Sequence, residues 1–124
     1  MVDSSGWIEF FTGGPNAEPF AEAIDQPERL VVPTLSLFEV FKWVMREHGE
    51  GAALQAIALM QRAEVVALST EIALHAAQLS LELKLPMADS VMLATARAFD
   101  ALLITQDADF KGLAGVNWLP KEKS

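Results

Sequence analysis

The sequence has no cysteine among its 124 residues, which excludes disulfide bonds, zinc–thiolate sites and thiol catalysis. It also has no uninterrupted apolar run close to the roughly 18 residues that a membrane-spanning helix requires. Residues 1–5 lack the basic and apolar regions of a secretory signal peptide. Because the absence of cysteine also fits a reducing compartment, we expect a cytoplasmic protein that does not enter a membrane.

Basic residues are also few. Nine Lys and Arg stand against 17 Asp and Glu, which gives a formal net charge of −8. This surplus of acids argues against a nucleic-acid ligand, because phosphate contacts usually come from a basic surface. Two alternatives stay open for the role of the acids. Carboxylates gathered around a divalent cation would make the bulk charge a poor guide to the local field, and an acidic surface can bind a basic protein partner.

Hydrophobic residues are plentiful, at 52% of the chain, and at this length they predict one domain over residues 1–124 with a frayed tail at 121–124. Five short apolar runs predict buried strands, at residues 1–2, 30–32, 65–67, 102–105 and 116–119. Helical patterns lie between them, at residues 19–24, 34 to about 63 with a break at 47–51, 70–83 and 87–99. This alternation predicts an α/β three-layer sandwich, with a mostly parallel central sheet flanked by helices.

Four acids fall where predicted strands end or predicted helices begin. Asp3 directly follows the first strand, and Asp107 follows the strand at 102–105 after one residue. Glu39 and Asp89 lie in the first turns of two helices. Active sites of parallel α/β sheets lie beyond the carboxyl ends of the strands. If the two helix starts border that same edge of the sheet, the four carboxylates converge there.

Converging carboxylates suit one kind of chemistry. Like charges at short range repel and raise some of the pKa values, and a hard divalent cation such as Mg²⁺ or Mn²⁺ relieves that repulsion. A bound metal lowers the pKa of its water and neutralises charge that develops on a phosphate. An acid-only cluster is therefore suited to phosphodiester hydrolysis.

Each of the four acids also has a purely structural explanation. Asp3 and Asp107 could cap the turns that follow them, and Ser36 with Glu39 matches the S-x-x-E capping box. Asp89 could simply complement a helix dipole, an effect of about 0.3–1 kcal/mol. However, Glu39 and Asp89 have mostly apolar neighbours, where a carboxylate is costly unless it is paired or bound to metal. One site would account for all four placements.

The segments that carry these acids lie at residues 2–9, 36–40, 87–96 and 103–110, the last with the form T-x-D-x-D-F. In order and spacing they resemble the motifs of the PIN-domain family, and within it the VapC-type toxins, over essentially the whole chain. The resemblance implies a PIN-like fold and a Mg²⁺- or Mn²⁺-dependent endoribonuclease. It also implies a homodimer and a cognate VapB-like antitoxin, which commonly inserts a basic or aromatic side chain into the acidic site.

The resemblance also assigns roles to individual residues. Metal binding falls to the four acids and to one further candidate: Asp3, Glu39, Asp89, Asp107 and Asp109. Ser5 and Thr105 would support these ligands through hydrogen bonds. The expected reaction is hydrolysis of an RNA phosphodiester by a metal-activated water, which leaves 5′-phosphate and 3′-hydroxyl ends.

Lys42 and Arg46 follow Glu39 by three and seven residues and therefore share its helix face. Two cations beside a metal site would hold an RNA backbone, although they could equally be solvated helix charges. The three tryptophans, Trp7, Trp43 and Trp118, are expected in the core or an interface rather than as base-stacking platforms.

Two rival functions remain. A catalytically inactive PIN-like module would bind protein or nucleic acid only, but the intact acidic quartet argues against it. A metal-dependent phosphatase or a DNA flap nuclease could use a similar fold, but the short chain leaves no room for the added DNA-binding elements of a flap nuclease.

Overall fold

Helices and short parallel strands alternate along the chain in the computed structural model, which describes residues 1–121. The tail predicted to be frayed lies outside the described residues, apart from Lys121. The helices are α1 (Ser4–Thr12), α2 (Ala17–Ile24), α3 (Thr34–His48), α4 (Glu50–Met60), α5 (Thr70–Leu83) and α6 (Met87–Ala98). The strands are β1 (Val31–Pro33), β2 (Glu64–Val66), β3 (Leu103–Thr105) and β4 (Val116–Trp118).

All the strand pairings are parallel within the described part of the chain, as predicted. β1 pairs with β2, and β3 pairs with β4 so that Thr105 lies opposite Trp118. The predicted first strand is reduced to a single bridge between Val2 and Ile104. The prediction that all strands are buried was wrong for β2 and β4, where Val65 and Val66 are only half-buried and Asn117 is exposed, because the helices leave part of these strands open to solvent.

The strands separate two apolar clusters. Val31 and Leu103 belong to a cluster with α5 and α6, whereas the next residue in β1, Val32, belongs to a cluster with α1 to α4. Ile104, the residue after Leu103, likewise packs against the second cluster. Successive residues of a strand point to opposite faces, so the strands lie between two helical layers. This arrangement is the predicted three-layer α/β sandwich.

Helix α1 was missed by the sequence patterns, which predicted no more than one helical turn after Asp3. The helix starts because the Asp3 carboxylate accepts a hydrogen bond from the Gly6 N–H, and it ends at Gly13 in the left-handed conformation (φ 66°). Gly6 also allows close packing, since a Cβ there would lie 2.6 Å from atoms of both Phe20 and Val2.

The long helical pattern from residue 34 is divided into α3 and α4. The break falls at Gly49, inside the predicted segment 47–51, where the backbone takes φ 89°. Glycine adopts positive φ without the steric cost that a side chain would add. Nowhere in residues 1–121 is there a helix with both the length and the apolar character needed to cross a membrane.

Candidate metal centre

Asp3 directly follows the bridge residue Val2 and is buried, with 4% of its surface exposed. Its Oδ1 accepts a hydrogen bond from the Gly6 N–H at 2.9 Å, and the Ser5 hydroxyl lies 3.0 Å from both carboxylate oxygens. Burial raises the pKa of Asp3 above its usual value, while hydrogen bonds from Thr105, Gly6 and Ser5 act in the opposite direction. Asp3 is therefore both the cap of α1 and a carboxylate held in a fixed position.

Thr105 connects the ends of two strands. Its hydroxyl donates a 2.6 Å hydrogen bond to Oδ2 of Asp3 and accepts one from the Asp107 N–H at 3.0 Å. The residue is completely buried. Both residues with predicted supporting roles, Ser5 and Thr105, thus touch the same carboxylate.

Glu39 lies on α3 and is held from the facing helix. The Ser4 hydroxyl donates a 2.6 Å hydrogen bond to Oε1 of Glu39. The capping-box explanation was wrong, because α3 already begins at Thr34 and Ser36 lies inside it. The Ser36 hydroxyl instead contacts the sulfur of Met92 at 3.4 Å.

Asp89, Asp107 and Asp109 form the tightest acidic group in the described residues, with one carboxylate oxygen of each within 4.8 Å of the others. Asp107 also caps the short 3₁₀ turn Ala108–Phe110, because its Oδ1 accepts the Asp109 N–H at 2.9 Å. Burial raises the pKa of Asp89 to about 7, with further contributions from a hydrogen bond to Asp109 and from repulsion by Asp107, Asp109 and Asp3. Asp109 is therefore an integral part of the acidic group.

A cavity of about 400 Å³ collects the predicted site residues from distant parts of the chain. Its walls include the four predicted acids, Ser5, and both predicted RNA-binding cations: Asp3, Glu39, Asp89, Asp107, Ser5, Lys42 and Arg46. Thr105 is not in its wall and acts from behind Asp3, and Asp109 borders the cavity through Asp89 and Asp107.

Several residues of this cavity were missed by sequence reasoning. Ser4 and Phe38 line it, and so does Trp43, which was expected in the core or an interface. Phe38 is 62% exposed, and the Lys42 ammonium lies 5.8 Å from its ring centroid. The position of Phe38 directly before the predicted site residue Glu39 was the sequence signal that could have placed it at the site. Trp7, in contrast, is buried in the core as predicted.

The donor set fits a hard divalent cation. The converging side chains offer carboxylate and hydroxyl oxygens, which Mg²⁺ and Mn²⁺ prefer. Within residues 1–121, the one salt bridge joins Arg46 to Glu47 at 3.4 Å, so no basic side chain forms a salt bridge with the acidic group. The pKa of Asp89 is raised mainly by burial, and repulsion from Asp107, Asp109 and Asp3 adds to the shift.

The family model of the PIN domain matches residues 1–116. Among curated proteins, no significant match was found. A toxin-antitoxin complex from Klebsiella pneumoniae contains a chain 27% identical to this one, with a TM-score of 0.81 over 94% of this chain and 93% of that chain.

Two further solved structures share the fold at lower identity. VapC20 of Mycobacterium tuberculosis, a Sarcin-Ricin loop cleaving toxin, is 16% identical with a TM-score of 0.69, and 89% of each chain is covered. VapBC2 from Rickettsia felis, bound to a DNA fragment from their promoter, is 15% identical with a TM-score of 0.75, and 98% of each chain is covered.

Proposed function

Because the chain belongs to the PIN domain family, we propose that it is the toxin of a toxin–antitoxin pair and acts as a metal-dependent endoribonuclease. The observation that carries this proposal is the convergence of four acids in one cavity, with no basic side chain paired to them in residues 1–121. A cluster of this kind is costly in an apolar surrounding and is retained where a cation compensates for it.

The residues that would hold Mg²⁺ or Mn²⁺ are the carboxylates of Asp3, Glu39, Asp89 and Asp107, with Asp109 beside the last two. When bound, the metal supplies a water of lowered pKa and neutralises charge on the phosphate. Thr105 and Ser5 orient Asp3, and Ser4 orients Glu39, since each donates a hydrogen bond to a carboxylate oxygen.

The proton on Asp89 couples metal binding to pH. With a pKa of about 7, this carboxyl group is about half protonated at neutral pH in the absence of a cation. A cation must displace that proton, so metal affinity is expected to rise as the pH increases through 7.

Lys42 and Arg46 are placed to hold the RNA. Both are exposed and line the acidic cavity, where they would bind phosphates on either side of the reacting group. In the reaction, the oxygen of water bonds to phosphorus while the bond to the 3′ oxygen breaks, and the 3′ oxygen takes up a proton. The products carry 5′-phosphate and 3′-hydroxyl ends, and the hydroxyls of Ser4 and Ser5 stay bound to carboxylates.

We also propose an antitoxin partner, supported by the Klebsiella toxin-antitoxin complex with which this chain shares 27% identity. A basic or aromatic side chain of the antitoxin would fit the acidic cavity and match the net charge of −8. The homodimer and the cytoplasmic location stay predictions from the sequence.

The decisive experiment is cleavage of a mixed tRNA and rRNA pool by purified, partner-free protein with Mn²⁺, with Mg²⁺ and with EDTA. Asp89→Asn is assayed in parallel, and Asp25→Asn serves as the control because Asp25 is exposed and lines neither the site nor another cavity. We expect metal-dependent cleavage that is lost in Asp89→Asn and kept in Asp25→Asn.

Three results would contradict the proposal. Cleavage that survives both EDTA and Asp89→Asn would rule out the acidic cavity as its source. Equal or faster cleavage of single-stranded or branched DNA would favour the DNA-nuclease rival. No cleavage by folded protein would favour the catalytically inactive binding module.

A further inference from the structure

A second cavity, of about 410 Å³, adjoins the acidic one and shares Ser5 and Asp107 with it. Its other lining residues are Gln106, Ala108, Trp118 and Lys121. We propose that this second cavity binds one nucleotide of the RNA substrate, next to the scissile phosphate. This proposal rests on the ribonuclease function proposed above. Its volume lies within the range of about 300–1,000 Å³ that is common for small-molecule sites.

The wall of the second cavity is built on a buried pair of amides. The Asn16 side chain is 6% exposed, and its Nδ2 donates to the carbonyl of Pro120 at 3.0 Å and to Oε1 of Gln106 at 3.1 Å. Because the Pro120 carbonyl can only accept a hydrogen bond, the atom of the Asn16 amide that faces it must be the nitrogen and not the oxygen. The same amide group then holds the Gln106 oxygen, so the Gln106 NH₂ remains as a donor for a ligand.

The two residues that Asn16 contacts, Gln106 and Pro120, each precede a residue that lines the second cavity. Gln106 directly precedes Asp107, and Pro120 directly precedes Lys121. Asn16 therefore joins the neighbour of a site residue to the segment that carries a cation of the second cavity. The cavity is thus held in place by buried contacts, which reduces the cost of ordering it around a ligand.

The chemistry of this wall matches a nucleotide. Trp118 offers an indole ring, and aromatic rings stack on bases of any sequence. The indole N–H of Trp118 is itself buried, so the ring is the part of this residue that is available to a ligand. The Gln106 NH₂ can donate to an acceptor on a base edge or a phosphate, and the Lys121 ammonium can bind a phosphate. Trp118 was expected in the core or an interface, but it is only half-buried.

The distribution of positive charge points to the same ligand. The chain has nine Lys and Arg, and Lys42, Arg46 and Lys121 line one or the other of the two cavities. The Lys111 ammonium lies 4.9 Å from the centroid of the Trp118 ring. In a protein of net charge −8, these cations lie on both flanks of the acidic centre. A polyanionic strand that crosses Asp107 would meet cations before and after the reacting phosphate.

The test is binding of a fluorescein-labelled, mixed-sequence single-stranded RNA, followed by fluorescence anisotropy in an Asp89→Asn background that does not cleave it. Trp118→Leu and Trp118→Phe are compared, with Lys121→Gln and the control Lys84→Gln, since the exposed Lys84 lines neither cavity. We expect Trp118→Leu to raise the Kd by about fivefold or more, and Trp118→Phe, which keeps an aromatic ring, to restore most of the affinity.

We expect Lys121→Gln to reduce the slope of log Kd against log salt by about 0.7, the value for one lost phosphate contact on a single strand. Lys84→Gln should leave both quantities unchanged. Equal weakening by Trp118→Leu and Trp118→Phe would overturn the stacking role. Unchanged binding in Trp118→Leu and Lys121→Gln would overturn the proposal and leave the cavity to another ligand, such as a protein side chain.

The enzymatic function is tested separately, with the same substitutions made in the otherwise native protein and assayed for cleavage with Mn²⁺. If the native protein cleaves RNA and the Trp118 and Lys121 variants do so equally well, the second cavity has no role and the ribonuclease function stands. If the native protein does not cleave RNA, the ribonuclease function is wrong, whatever the binding data show.

Discussion

Replacement of Asp89 by asparagine is expected to stabilise the metal-free protein at pH 8. This substitution separates the structural role of that carboxylate from its role in the acidic group. If Asp89 only complemented the dipole of α6, its loss would destabilise the protein by about 0.3–1 kcal/mol. If it belongs to a repulsive acidic group that lacks its cation, its loss removes a penalty.

The size of the penalty follows from the raised pKa. A shift from 3.8 to about 7 corresponds to at most about 4 kcal/mol at 1.36 kcal/mol per pKa unit. Asp89 is only half-buried, so solvent screening reduces the expected gain to about 1–2 kcal/mol. That gain still exceeds the loss of the dipole interaction, and the net effect is stabilising.

The pH dependence gives the prediction its sign. Between pH 4 and 7 the folded protein keeps the Asp89 proton while the unfolded chain releases it. The folded state therefore binds more protons than the unfolded chain. As a result, the free energy of unfolding of the native protein falls as the pH rises through this window. The difference between Asp89→Asn and the native protein should be small near pH 4 and largest above pH 7.

The assay is urea unfolding at pH 4, 6 and 8 in EDTA, with Asp25→Asn as the matched control at an exposed acid. A second series with Mn²⁺ at about 100 times its Kd should stabilise the native protein by about 2.7 kcal/mol and the Asp89→Asn variant by less. If Asp89→Asn is destabilised at pH 8 in EDTA, the dipole explanation is right and the reasoning on the acidic group is refuted.

Three further predictions concern the rest of the site and its frame. Thr105→Val should weaken Mn²⁺ binding and cost about 1–3 kcal/mol of stability, because Asp3 loses a hydrogen bond and the partly buried Asp107 N–H loses its acceptor. Calorimetry measures the metal affinity and urea unfolding the stability, and Thr105→Ser should keep the metal affinity of the native protein. Gly6→Ala should lower stability by about 1–3 kcal/mol through overpacking, and a higher Tm would contradict the packing described for α1. Lys42→Gln combined with Arg46→Gln should weaken RNA binding and flatten its salt dependence by about 0.7 per lost contact, whereas an unchanged slope would show that both are solvated helix charges.

Local patterns predicted most of the elements that position the site. The helical pattern at residues 70–83 predicted a helix there, and α5 has those bounds. Helix α1 was not predicted because its start depends on a single capping carboxylate and because three of its nine residues are aromatic and one is glycine, which are weak helix formers. The strands β2 and β4 were predicted as buried, since a short apolar run does not record which of its faces a helix covers.

Several features of the acidic site were open to sequence reasoning, because they depend on position along the chain. Asp3 and Asp107 follow strands, and parallel strands bring their carboxyl ends to one edge. Glu39 and Asp89 lie near helix starts that border the same edge, and both line the cavity with the other two acids. The approach of Asp3 to Asp107 was thus predictable from topology, whereas that of Glu39 and Asp89 depended on which edge their helix starts border.

The remaining features of the site depended on the tertiary structure. The bond from Thr105 to Asp3 spans 102 positions, and the bond from Asn16 to Gln106 spans 90. The contact between Ser4 and Glu39, and the second cavity beside Asp107, likewise join distant segments. Sequence periodicity records which face of an element is apolar, and strand order records which ends meet. The distance between two particular side chains is decided only when the helices and strands pack, because it depends on rotamers and on how closely those elements approach one another.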